Sequence, residues 1–181
     1  MKTLEKIMKT LILYYSRNGN NRMLANYLAE KLDADIEEIR PKHKFRLLGF
    51  LTDFFRNRDP DIYPISSAPK NYDHVLIIAP IFDLAIAHPM RTALGQVGPE
   101  LDTYSFISLC GYYRDGQASH ILEELQTLTG KPPAHIQELW VGELLPEDKR
   151  ENVMAVGGHN VTESELGIYG NKITQILQWF A

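Results

Sequence analysis

The sequence predicts an α/β domain: a doubly wound, five-stranded parallel sheet of order 2-1-3-4-5 with helices on both faces. Three observations carry that expectation. The chain opens in the order strand, turn, helix, strand. The run Val75-Leu-Ile-Ile-Ala79 is continuously apolar, as a central strand covered on both faces must be. Short apolar runs then alternate with segments of helical spacing as far as Phe180.

Each element has its own warrant. Leu11-Ile-Leu-Tyr-Tyr15 is rich in strand formers, and a Ser-Arg-Asn-Gly turn follows it at once. From Asn21 to Leu32, the residues Met23, Leu24, Tyr27, Leu28 and Leu32 recur at helical spacing. Asp35 to Ile39 reads as the second strand and stops at Pro41. Pro80 closes the third strand; Pro89, followed by Met90, Leu94 and Val97, marks a helix with proline in its first turn. Tyr104 to Leu109 is the fourth strand, and Ile121, Leu122, Leu125 and Leu128 mark the next helix. Ile136 to Val141 is the fifth strand, and Ile168 to Phe180 is a closing helix with Ile173, Ile176, Leu177 and Phe180 inward.

Two stretches fall outside the alternation. Met8-Lys-Thr-Leu repeats Met1-Lys-Thr-Leu, so residues 1–8 read as a leader and 9–181 as the domain. The second is an insert at 42–69, too long for a plain connection. Within it Leu47, Leu48, Leu51, Phe54 and Phe55 fall on one helical face with basic residues at both ends. Such a face packs on its own domain, caps a ligand site, or meets a membrane or partner.

Composition narrows the function classes. The 181 residues are 44% hydrophobic and 23% charged, which are globular values. A net charge of −4 argues against a nucleic-acid binder. The one cysteine, Cys110, allows neither an internal disulfide nor an all-Cys metal site. No apolar run is long enough to span a bilayer, so an integral membrane protein is not expected. The opening residues lack the apolar core of a signal peptide, which makes the cytoplasm the expected compartment. The six histidines show no metal-binding spacing, so no metal is expected. There is no G-x-G-x-x-G and no G-x-S-x-G. Gly111 and Gly116 have the spacing of a triphosphate loop, but Gln117 and Ala118 stand where Lys and Ser/Thr must follow.

An open parallel sheet binds ligands at the carboxyl ends of its strands, which directs attention to three loops. The first is Ser16-Arg17-Asn18-Gly19-Asn20-Asn21. Gly19 permits a tight turn, and the following helix offers free N–H groups and partial positive charge to an anion. Ser16, Asn18, Asn20 and Asn21 add side-chain donors. The same residues also read as an ordinary strand-to-helix turn with Asn20 as its N-cap. Composition leaves those two readings open. The second loop runs from Pro80 to Pro89 and the third is Cys110-Gly111-Tyr112-Tyr113-Arg-Asp-Gly116. Cys110 reads either as a reactive thiol or as a small buried hydrophobe.

Ile12-Leu-Tyr-Tyr-Ser-Arg-Asn-Gly-Asn-Asn-Arg-Met-Leu-Ala25, with Leu28 beyond it, resembles the phosphate-loop signature of the flavodoxin family. Ser16, Gly19, Ala25 and Leu28 match, whereas Asn21 stands where that signature carries Thr, and Asn18 at another position often held by Thr. Ala79-Pro80-Ile81-Phe82-Asp83-Leu84 is similar to the family's second loop, often Pro-Ile-Trp-Trp-Gly, with Asp83 and Leu84 replacing the second Trp and the Gly. The resemblance spans residues 9–181 and is to bacterial flavodoxin-like proteins with a segment inserted after the second strand.

It implies a flavodoxin-like fold and non-covalent flavin mononucleotide (FMN). The first loop, Ser16 to Asn21, would hold the phosphate. Pro80, Ile81, Phe82 and Asp83, with Cys110, Gly111, Tyr112, Tyr113 and Gly116, would border the ring. Tyr112 or Tyr113 would stack on it, or else cover the sheet edge. The implied activity is electron transfer, either carried to a redox partner protein or delivered as an FMN-dependent oxidoreductase to a small acceptor such as a quinone. The alternative is a flavodoxin-like binding or interaction module that has lost the flavin.

Overall fold

The structure, a computed structural model, describes residues 8–42, 60–111 and 113–180. The expected leader, apart from Met8, lies outside the described residues, as do Tyr112 and the insert's apolar face from Leu47 to Phe55.

Strand β1 (Thr10–Tyr14) leads into α1 (Asn20–Leu32), which returns to β2 (Asp35–Glu38). Strand β3 (His74–Ile78) is followed by a small hairpin, β4 (Ile81–Phe82) and β5 (Ala85–Ile86), and then by α2 (His88–Val97). The chain continues through β6 (Tyr104–Cys110), α3 (Gln117–Thr129), β7 (His135–Trp140), α4 (Val153–Gly158) and α5 (Gly170–Gln178). The main sheet has the order β2-β1-β3-β6-β7 and all its pairings are parallel. Counting only its five strands, that is the expected 2-1-3-4-5.

Side chains alternate across the sheet and divide the core in two. Leu11, Leu13, Val75, Ile77, Tyr104 and Phe106 pack under α2 and α3, against Met90, Leu94, Ile121 and Leu125. Ile12, Leu76, Ile78, Ile107 and Leu139 pack under α1 and α5, against Leu24, Leu28, Ile173 and Ile176. The apolar run predicted for the central strand is buried on both faces for this reason.

The insert leaves and rejoins the domain at one place. Pro41 and Ile62 form an antiparallel bridge, with Lys42 N–H donating to Asp61 C=O at 2.9 Å and Tyr63 N–H to Arg40 C=O at 2.8 Å. The Thr92 hydroxyl on α2 donates to Pro60 C=O at 2.8 Å, tying the returning chain to the sheet's α2 face.

Three elements were not foreseen: β4, β5 and α4. Pro80 to Pro89 reads in the sequence as a loop after the third strand, yet residues 81–86 fold into the β4–β5 hairpin, Ile81 facing Ile86 and Phe82 facing Ala85. Asp83 and Leu84 turn it with φ of 50° and 68°, both left-handed, as a two-residue hairpin turn of the type I′ class requires. Leu84 therefore occupies, with a side chain, a conformation that glycine adopts without strain. Replacing the pair by the favoured Asn-Gly is expected to stabilise the protein by about 1 kcal/mol, because a left-handed non-glycine residue costs about 1–2 kcal/mol. The loss of the Asp83–Arg114 ion pair subtracts little, since it spans 3.7 Å between largely exposed side chains. Thermal melting of Asp83→Asn/Leu84→Gly checks this: a rise of about 2–4 °C is expected, and a fall counts against turn strain.

Candidate functional site

The three loops singled out in the sequence converge at the carboxyl ends of β1, β3 and β6 on one cleft of about 460 Å³. Arg17, Asn18, Asn20 and Asn21 line it from the first loop, Pro80 to Asp83 from the hairpin, and Cys110 and Gly111 from the third. A fourth wall, absent from the sequence reading, comes from Val141 after β7 and from Val153, Val156 and Gly157 of α4. A local signal for α4 does exist. Asn152 precedes an apolar run, and its side chain caps the helix by accepting from Met154 and Ala155 N–H, both at 3.0 Å.

The first loop presents backbone N–H groups at the start of α1. Gly19 has φ 98° and is the N-cap of α1, so Asn20 is the first helical residue and not the cap. The Ser16 hydroxyl accepts from Gly19 N–H at 3.1 Å, which closes the turn; Ser16 itself is not among the residues lining the cleft. Asn18 Oδ1 accepts from Asn20 N–H at 3.3 Å. The first helical bond runs from Met23 N–H to Gly19 C=O, so the N–H groups of Asn21 and Arg22 have no acceptor one turn back.

The Asn20 and Asn21 side chains make long-range bonds that the sequence did not foreshadow. Both are buried, and each bonds backbone through both its nitrogen and its oxygen. Asn21 Nδ2 donates to Leu109 C=O at 3.0 Å while its Oδ1 accepts from Leu109 N–H at 3.0 Å. Asn20 Nδ2 donates to His159 C=O at 2.9 Å and its Oδ1 accepts from Val161 N–H at 2.9 Å. The reason lies in the sheet. The β3–β6 ladder ends where Ala79 N–H reaches Ile107 C=O at 3.2 Å, and the next residue, Pro80, has no N–H and turns away. The β3-facing edge of β6 is then unpaired at Leu109, and the Asn21 amide supplies the missing peptide group. Only an amide side chain carries both a donor and an acceptor in that geometry.

The cleft's other walls are apolar at the base and charged at the mouth. The Arg17 guanidinium lies over the Phe82 ring at 5.5 Å, a cation–π contact joining the first loop to the hairpin. Arg114 reaches Asp83 at 3.7 Å from the other side. On α3, Glu124 accepts from Ile86 N–H at 2.8 Å and pairs with Arg91 of α2 at 2.8 Å, which holds the hairpin against both helices.

Cys110 is at the cleft but buried, and its thiol is pushed up to about 12, first by burial and then by the Glu138 carboxylate. It donates to Leu139 C=O at 3.7 Å and accepts from Gln117 Nε2 at 3.8 Å. A thiol so placed is protonated at neutral pH, which closes the reactive-cysteine reading. Tyr113 stands apart from the cleft lining: exposed, it packs its ring on Trp140 at 5.0 Å. Gly116, with φ 76°, is the N-cap of α3 and shapes the third loop from behind.

No family model matches this chain, and no curated protein matches it. Solved structures do. A flavoprotein from Lactobacillus acidophilus NCFM, crystallised in complex with FMN, is 21% identical with a TM-score of 0.61, over 72% of this chain and 93% of that one. The apo-form of the L. acidophilus flavoprotein, solved by NMR, gives 20% identity and a TM-score of 0.56, over 72% and 91%. A Bacteroides uniformis ATCC 8492 protein, provisionally assigned as a flavoprotein, gives 22% and 0.59, over 74% and 91%. At such identities the likeness is one of fold. Strand order, crossover helices and these neighbours agree that this chain has the flavodoxin-like fold.

Proposed function

We propose that this chain binds FMN non-covalently in the cleft between its three loops and α4, and acts as a redox protein through that flavin. The supporting observation is the pairing, in one cleft, of free N–H groups at the start of α1 with apolar walls from the hairpin and α4. The volume of about 460 Å³ lies within the range of roughly 300–1,000 Å³ usual for small-molecule sites.

The residues present fit the group. At the phosphate end, the α1 N–H groups and the Arg17 guanidinium provide donors and positive charge for a dianion. At the ring end, Phe82, Leu109, Val153 and Val156 offer apolar surface that a bound ring would cover, and the Gly111 backbone borders the cleft without a side chain. When bound, FMN supplies reversible electron transfer at its ring system. The protein's part is to hold the phosphate, orient the ring by contact with Phe82 and the α4 valines, and set the local field through Arg17, Arg114 and Asp83. Electrons pass in this reading to a redox partner protein or to a small acceptor such as a quinone at the open mouth. Among the described residues no helix is long and apolar enough to cross a membrane.

The test is a pair of titrations of the apoprotein, with FMN and with riboflavin. FMN is expected to bind at least tenfold more tightly, since only it carries the phosphate. Equal affinities would remove the phosphate end from the reading, and absence of binding by either flavin at high micromolar concentration would leave the flavin-free module in its place.

A further inference from the structure

The two asparagines at the start of α1 line the cleft and also connect two of its other walls to the proposed anion cradle. Asn21 joins α1 to Leu109, one residue before the Cys110-Gly111 turn that forms the third wall. Asn20 joins α1 to His159 and Val161, directly after the α4 residues that form the fourth. Each bridge is a matched donor and acceptor pair, 2.9 or 3.0 Å in all four bonds, and both side chains are at most 4% exposed. The partners lie 88 and 139–141 residues away in sequence, so these are tertiary braces and not local caps.

We infer that Asn20 and Asn21 are positioning residues that set the cleft's preference for a phosphorylated ligand: by anchoring the first turn of α1 to β6 and to the chain after α4, they fix where its N–H groups point relative to the apolar walls. The inference rests on the FMN reading. Its physical basis is that a helix terminus stabilises an anion only within its own first turn, and a displacement of an ångström loses hydrogen bonds that need about 2.7–3.2 Å. The braces reach backbone atoms, so no change of a neighbouring side chain supplies the missing contact. The neighbouring cap, Gly19, has left-handed backbone and no side-chain cap bond, so beside the local Ser16 and Asn18 bonds the two amides are the long-range contacts that direct the first turn.

The test uses the full chain and single variants Asn20→Ala and Asn21→Ala, each compared with wild type for FMN and riboflavin affinity and for thermal melting. The positioning role predicts that the FMN-over-riboflavin preference falls at least threefold while riboflavin affinity stays within twofold. A merely structural role weakens both flavins together and leaves the preference unchanged; a fall below threefold in every folded variant overturns the inference. If Asn21→Ala does not fold, Asn20→Ala carries the comparison. Should wild type bind no flavin, the FMN reading itself fails, and inorganic phosphate then probes the cradle by backbone amide spectra. Wild-type shifts at residues 20–22 that weaken in the variants support positioning, and an absence of wild-type shifts, or shifts equal in the variants, overturns it.

Discussion

Lowering the pH from 6.5 to 4 is expected to remove about 2–3 kcal/mol of folding stability through a single residue, His74. It begins β3 at the end of the sheet opposite the cleft, 4% exposed, with Nε2 3.0 Å from Ser105 Oγ and its ring 4.7 Å from Phe180. Burial pushes its imidazole down to about 4, helped by the nearby His135. The folded state therefore prefers the neutral ring, whereas the unfolded chain takes up a proton near pH 6.5. Stability is full above pH 6.5 and drains as the pH falls towards 4, at up to about 1.4 kcal/mol per unit. The carboxylates act in a separate window. Glu37, which accepts from Ser66 and Ser67 N–H, and Glu165 of the Thr162 capping box are both held below the usual carboxylate range. Their stabilisation is lost only below about pH 4.5. Denaturant unfolding of wild type and His74→Leu between pH 8 and 4 separates the two. The variant should be less stable at pH 7 but nearly flat down to pH 5, and parallel profiles would exclude His74 as the source.

That residue marks how far sequence carries in this fold. The alternation of Leu11, Ile12 and Leu13, or the run from Val75 to Ala79, is dictated by burial on two faces and is visible in any window that contains it. His74 sits one residue before that run, and only the docking of α5 decides whether it is a solvated strand-end or a buried base. The cleft divides in the same way. Arg17, Asn18, Pro80 to Asp83, Cys110 and Gly111 were legible because loops at strand carboxyl ends must meet there. Val153 and Val156 were not, since α4 follows an irregular stretch and reaches the cleft from outside the alternation. Of the two expectations for Tyr113, covering the sheet edge is the one its ring meets: it finds Trp140 at the end of the edge strand, a packing partner 27 positions on that no local pattern reveals.

Asn21 is the sharpest case and gives the second large effect: Asn21→Asp is expected to lose about 3 kcal/mol at pH 7 and to recover part of it on acidification. A family pattern places Thr at this position, and the amide is explained only by the departure of the chain at Pro80 from the edge of β6. Aspartate is the same size and keeps the bond from Leu109 N–H, but its second oxygen then opposes Leu109 C=O where Nδ2 had donated at 3.0 Å. One buried carbonyl loses its donor, at about 1–3 kcal/mol, and a buried carboxylate loses hydration, at several kcal/mol. The α1 terminus returns about 0.3–1 kcal/mol by favouring negative charge. Desolvation and acceptor opposition outweigh the dipole, so the folded state raises the new carboxyl's pKa above its unfolded value near 3.9. The linkage sign is then opposite to that of His74. The variant's deficit relative to wild type is largest at neutral pH and shrinks as the pH falls through the raised folded pKa, where the protonated carboxyl donates to Leu109 C=O in place of the amide. Because wild type itself weakens in acid, the quantity to follow is the difference between the two proteins across pH 7 to 4.5. A difference that stays constant or grows with acid would show that the terminal dipole, and not the lost amide donor, governs the site.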